Sequence, residues 1–184
     1  LVVEALRGEK NPRRLRLVID GRGRIPHRIV LRPENIASAI AKSLGEPDVE
    51  TGDEDFDRAV LVEGNPVLLS ALLDLDTRRR LRWLVAVGLR VEGGRVVLGH
   101  DAYTDDPRSL ASRATELLEL AGRLVEPPGL VNLLVHNACQ DPLRGVRWQC
   151  FQRLIERFPR HAATHAAAHE LLRDADRELR LAAA

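Results

Sequence analysis

The chain has 184 residues, 45% of them apolar and 30% charged, which is enough apolar material for a folded core and too little bias for intrinsic disorder. Lysine and arginine together number 28 against 27 acidic residues, so the whole-chain charge makes no case for a nucleic-acid binder and any basic surface must be local. No stretch approaches the ~20 apolar residues of a membrane span and no charged-then-apolar leader precedes the first strand, so the expected setting is cytoplasmic. Lys10 and Lys42 are the only lysines beside 26 arginines, which reads as the coding bias of a GC-rich genome. With no initiator methionine and an end in mid-pattern at Ala184, the chain reads as the ordered part of something longer.

Residues 1–7 and 13–20 are rich in β-branched and apolar side chains, and Asn11-Pro12 between them predicts the turn of a β-hairpin. After Gly21-Arg22-Gly23, residues 25–31 read as a third strand. Pro33-Glu34-Asn35 then opens a short helix through Ile36, Ile40 and Leu44. Polar and acidic residues run to Asp57, Ala59 to Val62 reads as a strand, and Asn65-Pro66 is a cap followed by a first-turn proline for a helix bearing Leu68, Leu69, Leu72 and Leu73. Thr77 to Leu84 continues as helix. Residues 85–91 and 95–99 flank Glu92-Gly93-Gly94, a hairpin signal. From Asp106-Pro107 an amphipathic helix repeats through Leu110, Ala114, Leu117, Leu118, Ala121 and Leu124 and stops at Pro127-Pro128-Gly129. That cluster divides the chain into an α+β domain built of hairpins and helices, residues 1–126, and an all-α region, residues 127–184. In the latter, Leu143, Val146, Cys150, Phe151, Leu154, Ile155 and Phe158 form an apolar stripe wide enough to need cover on both sides.

A 33-residue period relates Asp141 to Asp174, Val146 to Leu179 and Arg147 to Arg180. In each copy an apolar helix runs into an aspartate turn, and the next helix begins with an aliphatic residue followed by arginine. Such a unit cannot bury its own stripe, so copies must stack. Through Asp141-Pro142 with Val146-Arg147, and Asp174 with Leu179-Arg180, residues 130–184 resemble HEAT repeats. The resemblance implies that Asp141, Arg147, Asp174 and Arg180 are structural, their side chains forming a ladder between neighbouring repeats. Residues 48–126 are similar to a bacterial domain family of unknown function, through Asp48-Val49-Glu50-Thr51-Gly52-Asp53, Phe56-Asp57, Leu72-Leu73, Arg80-Leu81 and Gly93-Gly94. That family implies no activity.

Several side-chain sets could carry chemistry. Asp53, Glu54, Asp55 and Asp57 are dense enough for a calcium loop but lack its alternation, central glycine and distal glutamate, so they read as a solvated turn that compensates the basic N-terminal strands. His161, His165 and His169 share one helical face as zinc ligands would, but no HExxH pattern accompanies them and an ordinary exposed helix is the expectation. Residues 7–32 hold nine basic side chains against Glu9 and Asp20, which could grip nucleic-acid phosphates or anionic lipid, yet no aromatic residue lies among them to stack on a base. Neither a nucleophile elbow nor a phosphate loop is present. Cys139 and Cys150 read as reduced core thiols. The expected function is therefore non-enzymatic: macromolecular interaction or scaffolding with a protein partner, with no metal and no cofactor. Arg144, Trp148 and Gln152 on the second helix of the first repeat are the predicted contact residues. An anion-binding N-terminal segment, or a HEAT-like enzyme with an unrecognised site, are the alternatives.

Overall fold

The computed structural model describes residues 2–8, 11–34, 49–100, 107–125 and 127–184. Its N-terminal part is built on a six-stranded sheet in the order β1-β2-β6-β5-β3-β4, every pairing antiparallel. The strands are β1 (Val2–Gly8), β2 (Asn11–Asp20), β3 (Val30–Pro33), β4 (Val60–Glu63), β5 (Leu89–Glu92) and β6 (Arg95–His100). Because side chains alternate across a pleated strand, one face collects an unbroken apolar row: Ile19 opposite Val96, Val96 opposite Val91, Val91 opposite Leu31, and Leu31 opposite Val62. All five are buried in one cluster. Asn11 and Pro12 lie inside β2, where sequence reading had them in the turn, and Gly8 pairs directly with Asn11. The β5–β6 turn follows expectation, with Gly93 and Gly94 at φ +59° and +75°, the pair of left-handed residues that a tight twisted hairpin requires.

Among the described residues four helices cover that face: α1 (Glu54–Ala59), α2 (Pro66–Leu72), α3 (Leu75–Ala86) and α4 (Pro107–Arg123). Asn65 caps α2, its side-chain oxygen accepting from the N–H groups of Val67 at 3.0 Å and Leu68 at 3.3 Å. In α4, Leu117, Leu120 and Ala121, with Leu124 just beyond the last turn, follow the i, i+3, i+4, i+7 spacing of a helix laid on a core and are buried. Leu118, expected in that stripe, is exposed. Residues 85 and 86 belong to α3, not to a strand, because Val85 completes the buried stripe with Leu81 and Leu84. The third strand begins at Val30, five residues later than the sequence suggested. The helix expected through Ile36, Ile40 and Leu44 lies outside the described residues.

Past residue 127 all the regular structure is helical: α5 (Leu130–Gln140), α6 (Arg144–Arg157), α7 (Ala162–Leu171) and α8 (Arg177–Ala183). Packing crosses residue 127 without a break. Val67 and Ala71 of α2 share a second cluster with Leu134, Ala138, Val146, Cys150, Phe151, Leu154, Ala167 and Leu171, while Leu130 packs against both clusters. Helix α2 thus has the sheet on one side and the α5–α6 pair on the other, which supplies one side of the cover that the apolar stripe of α6 demands. Leu143 and Ile155, at the margins of that stripe, remain exposed. Among the described residues no helix is long and apolar enough to cross a membrane.

Candidate functional site

The junction between the two clusters is centred on Arg78 of α3. Its side chain is 1% exposed, a position where a guanidinium is tolerated only if every N–H finds a partner. Nε donates to Asp53 at 2.9 Å, Nη1 to the Leu73 carbonyl at 2.6 Å, and Nη2 to both carboxylate oxygens of Asp141 at 3.1 and 2.9 Å. Asp53 is itself fixed, its other oxygen capping α1 through the Phe56 N–H. Asp141 also closes the turn into α6 by accepting from Leu143. At the same seam the backbones of Gly52 and Gly145 touch so closely that a Cβ on Gly145 would stand 2.2 Å from the Gly52 carbonyl oxygen. Neighbouring α2 is tied down by Asn137, which donates to the carbonyls of Ser70 at 2.9 Å and Ala71 at 3.1 Å.

One helical pair further along, Arg147 of α6 repeats the arrangement. Nη1 donates to the carbonyls of Asp141 and Pro142 in the preceding turn, while Nε and Nη2 each reach Asp174 at 3.0 Å. Asp174 accepts from Asp176 two residues on, as Asp141 does from Leu143. In α8, Nη1 of Arg180 donates to the carbonyls of Asp174 at 2.7 Å and Ala175 at 2.9 Å. Three helical hairpins, α2–α3, α5–α6 and α7–α8, thus carry arginines that hold a carbonyl of their own turn. The first two also hold the aspartate of the next hairpin.

With its buried side given over to this seam, α3 turns the opposite side to an open groove of about 1010 Å³. At 100° per residue, Trp83 stands about 200° around the helix from Leu81, and Leu75 and Arg79 fall on the same outer side. Trp83 is 51% exposed, and the groove runs from it past Arg79 and Arg82 to the turn at Pro142 and Leu143. Leu143 is 39% exposed. Trp83 was not among the contact residues expected from the sequence. The signal was present, since the spacing of Leu81, Leu84 and Val85 already places position 83 away from the core.

The predicted contact residues Arg144, Trp148 and Gln152 share one face of α6 at four-residue spacing. Trp148 is 36% exposed and Gln152 half-buried. Arg144 is occupied by α8, its guanidinium lying 3.0 Å from Asp176 and also pairing with Glu178. Trp148 corresponds to the exposed Leu181 of α8 under the 33-residue period.

Asp53, Asp55 and Asp57, expected to form a solvated turn that compensates the N-terminal strands, make bonds within their own segment and to α3. Asp53 caps α1 and meets Arg78, and Asp57 accepts from the Thr51 hydroxyl at 2.7 Å and from the Thr51 and Gly52 N–H groups. Among the described side chains, Asp20 stands opposite Arg95 in the β2–β6 register, Arg22 chelates Asp20, and Arg32 meets Glu63. His161 caps α7, Nδ1 accepting from Ala163 at 3.1 Å, and His165 and His169 are exposed. Among the described residues no group of three or more His, Cys, Asp or Glu is placed to hold a metal. Both cysteines are free thiols, and burial pushes each up to about 12. No family model, curated protein or solved structure matches the chain.

Proposed function

We propose that this chain is a non-enzymatic interaction or scaffolding protein, in which α2–α3, α5–α6 and α7–α8 stack as HEAT-like repeats and present their second helices to a protein partner. The observation that carries this reading is the shared arginine grammar of the three hairpins. Arg78, Arg147 and Arg180 each anchor to a carbonyl of the preceding turn, and Arg78 and Arg147 extend to Asp141 and Asp174 of the following hairpin. Hairpins stacked in this way keep their seams on one side and leave the other side of each second helix free for recognition. That free side holds Trp83 on α3, Trp148 on α6 and Leu181 on α8, all exposed. Exposed tryptophans of this kind are the side chains that most often anchor protein interfaces.

The test is capture with cross-linking from a lysate of the source cell, comparing the wild type with a Trp83→Ser, Trp148→Ser double variant of unchanged melting temperature. The expected result is a stoichiometric protein that cross-links to α3 or α6 in the wild type and is lost from the variant. Identical capture by both chains would count against the reading.

A further inference from the structure

We infer that the groove beside Trp83 takes an acidic, apolar polypeptide segment. The inference rests on the reading of the second-helix face as a protein-binding surface and adds the chemistry of the occupant. The apolar half of the argument is the groove's own lining: Leu75, Leu143 and the indole of Trp83 are presented together, with Trp83 and Leu143 exposed. A large aromatic beside aliphatic side chains in an open groove offers an anchor point for a side chain of a partner.

Charge decides the class. Of the carboxylates along the groove, Asp53 is engaged by Arg78 and by the start of α1. Asp55 lies 3.2 Å from Arg58 and 3.8 Å from Arg82, one carboxylate between two guanidinium groups. At the start of α3, Asp74 and Asp76 are taken by Arg123, and Asp76 also by Arg80. Among the described residues Arg79 has no carboxylate partner, and Arg82 has only its 3.8 Å share of Asp55. Both are exposed. Two under-compensated guanidinium groups therefore flank an exposed indole, and a complementary occupant carries carboxylates next to apolar side chains. A nucleic acid fits less well, because Trp83 is the one exposed aromatic along the groove and successive bases need several to stack on. The groove is also too open to enclose most of a small ligand's surface, as pockets for such ligands do.

The experiment is selection of random 12-residue peptides displayed on phage against the intact protein, followed by fluorescence anisotropy of the enriched peptides. Four variants accompany the wild type: Trp83→Ser, Arg79→Glu with Arg82→Glu, Arg79→Lys with Arg82→Lys, and Trp148→Ser. All are surface substitutions whose melting temperatures are matched to the wild type before use. The expected result is enrichment of peptides combining Asp or Glu with Leu, Phe or Trp. Their affinity should fall at least tenfold on Trp83→Ser and on the double glutamate variant, weaken with added salt, and be largely kept by the double lysine variant. Enrichment of neutral or basic peptides that still depend on Trp83 would overturn the charge assignment while leaving the protein-binding face intact. Peptides that depend on Trp148 alone would overturn the groove and likewise leave that face. Peptides that depend on neither tryptophan would overturn both. Tight, Arg79-dependent binding of a 12-nucleotide oligouridine in the same assay would replace the peptide with a nucleic acid.

Discussion

Arg78 and Arg147 form the same kind of bond in two different surroundings. Near the sheet, Arg78 is almost fully buried and satisfied by two carboxylates and a carbonyl; one hairpin further out, Arg147 remains slightly solvent-exposed and has one carboxylate and two carbonyls. The apolar filling thins in the same direction. The buried sheet cluster is made of Leu, Ile and Val with one Phe and a single Ala, whereas α7 and α8 contribute mostly alanines. A guanidinium deep in the first environment cannot be hydrated if it loses a partner, so its bonds are obligatory. In the second environment water can replace much of what is lost. The sheet end therefore behaves as the foundation of the stack and the far end as its adjustable part.

The strongest way to break this contrast is Arg78→Met. It leaves Asp141 buried and Asp53 without its long-range partner, and a loss of about 3–5 kcal/mol is expected, as for other buried pairs stripped of one member. Urea denaturation monitored by circular dichroism would measure it. A loss near that of an exposed pair would show that the junction is not closed to water. Gly145→Ala should follow at about 1–3 kcal/mol, because the new methyl meets the Gly52 backbone, which cannot swing aside as a side chain could.

Arg147→Ala sharpens the comparison because its effect should be local. A net loss of about 1–2 kcal/mol is expected, and hydrogen exchange should rise over residues 160–184 while the sheet keeps its protection. Cys139 offers an independent reporter. Burial and the nearby Glu170 carboxylate raise its thiol from the ordinary 9 to about 12, so at pH 8 the wild type should alkylate slowly and the variant faster. Cys150 is raised to about 12 as well, by burial and then by Asp141. Because both thiols titrate higher in the folded than in the unfolded chain, the stability they contribute is complete below about 9 and is lost as pH rises towards 12. A melting temperature flat from pH 8 to 11 would contradict that assignment.

What was legible in the sequence divides by the range of the interaction that decides it. The Asn65-Pro66 cap, the Gly93-Gly94 turn and the start of the Pro107 helix are settled within a few residues, and sequence reading finds them. The pairing of Arg147 with Asp174 spans 27 residues, yet the resemblance to HEAT repeats implied a ladder of these side chains between neighbouring hairpins. Arg78 had no such aid. An arginine within a charged helix reads as solvent-facing, and its burial depends on Asp141, 63 residues away in a segment with a different pattern. Helix α1 was missed for a related reason. Six residues rich in acids look like a solvated turn until Asp53 is seen to cap them and Phe56 to fill the core. Trp83 lies outside the 33-residue period, so only the spacing of Leu81, Leu84 and Val85 marks it as outward-facing.

Arg180 gives the smallest expected effect and the closest control on the contrast between the two ends. Its guanidinium holds the two carbonyls of its own turn, and among the described residues it meets no carboxylate. Beside it Leu181 is 65% exposed. Arg180→Ala should then change stability by no more than about 0.5 kcal/mol, against the larger loss for Arg147 at the equivalent position. If instead the two substitutions cost the same, the carbonyl anchors rather than the carboxylate pairs would be holding the hairpins together. The double substitution Arg147→Ala, Asp174→Asn separates these cases. A carboxylate-dominated seam loses little more in the double variant than in Arg147→Ala alone, whereas a carbonyl-dominated seam makes the two losses add.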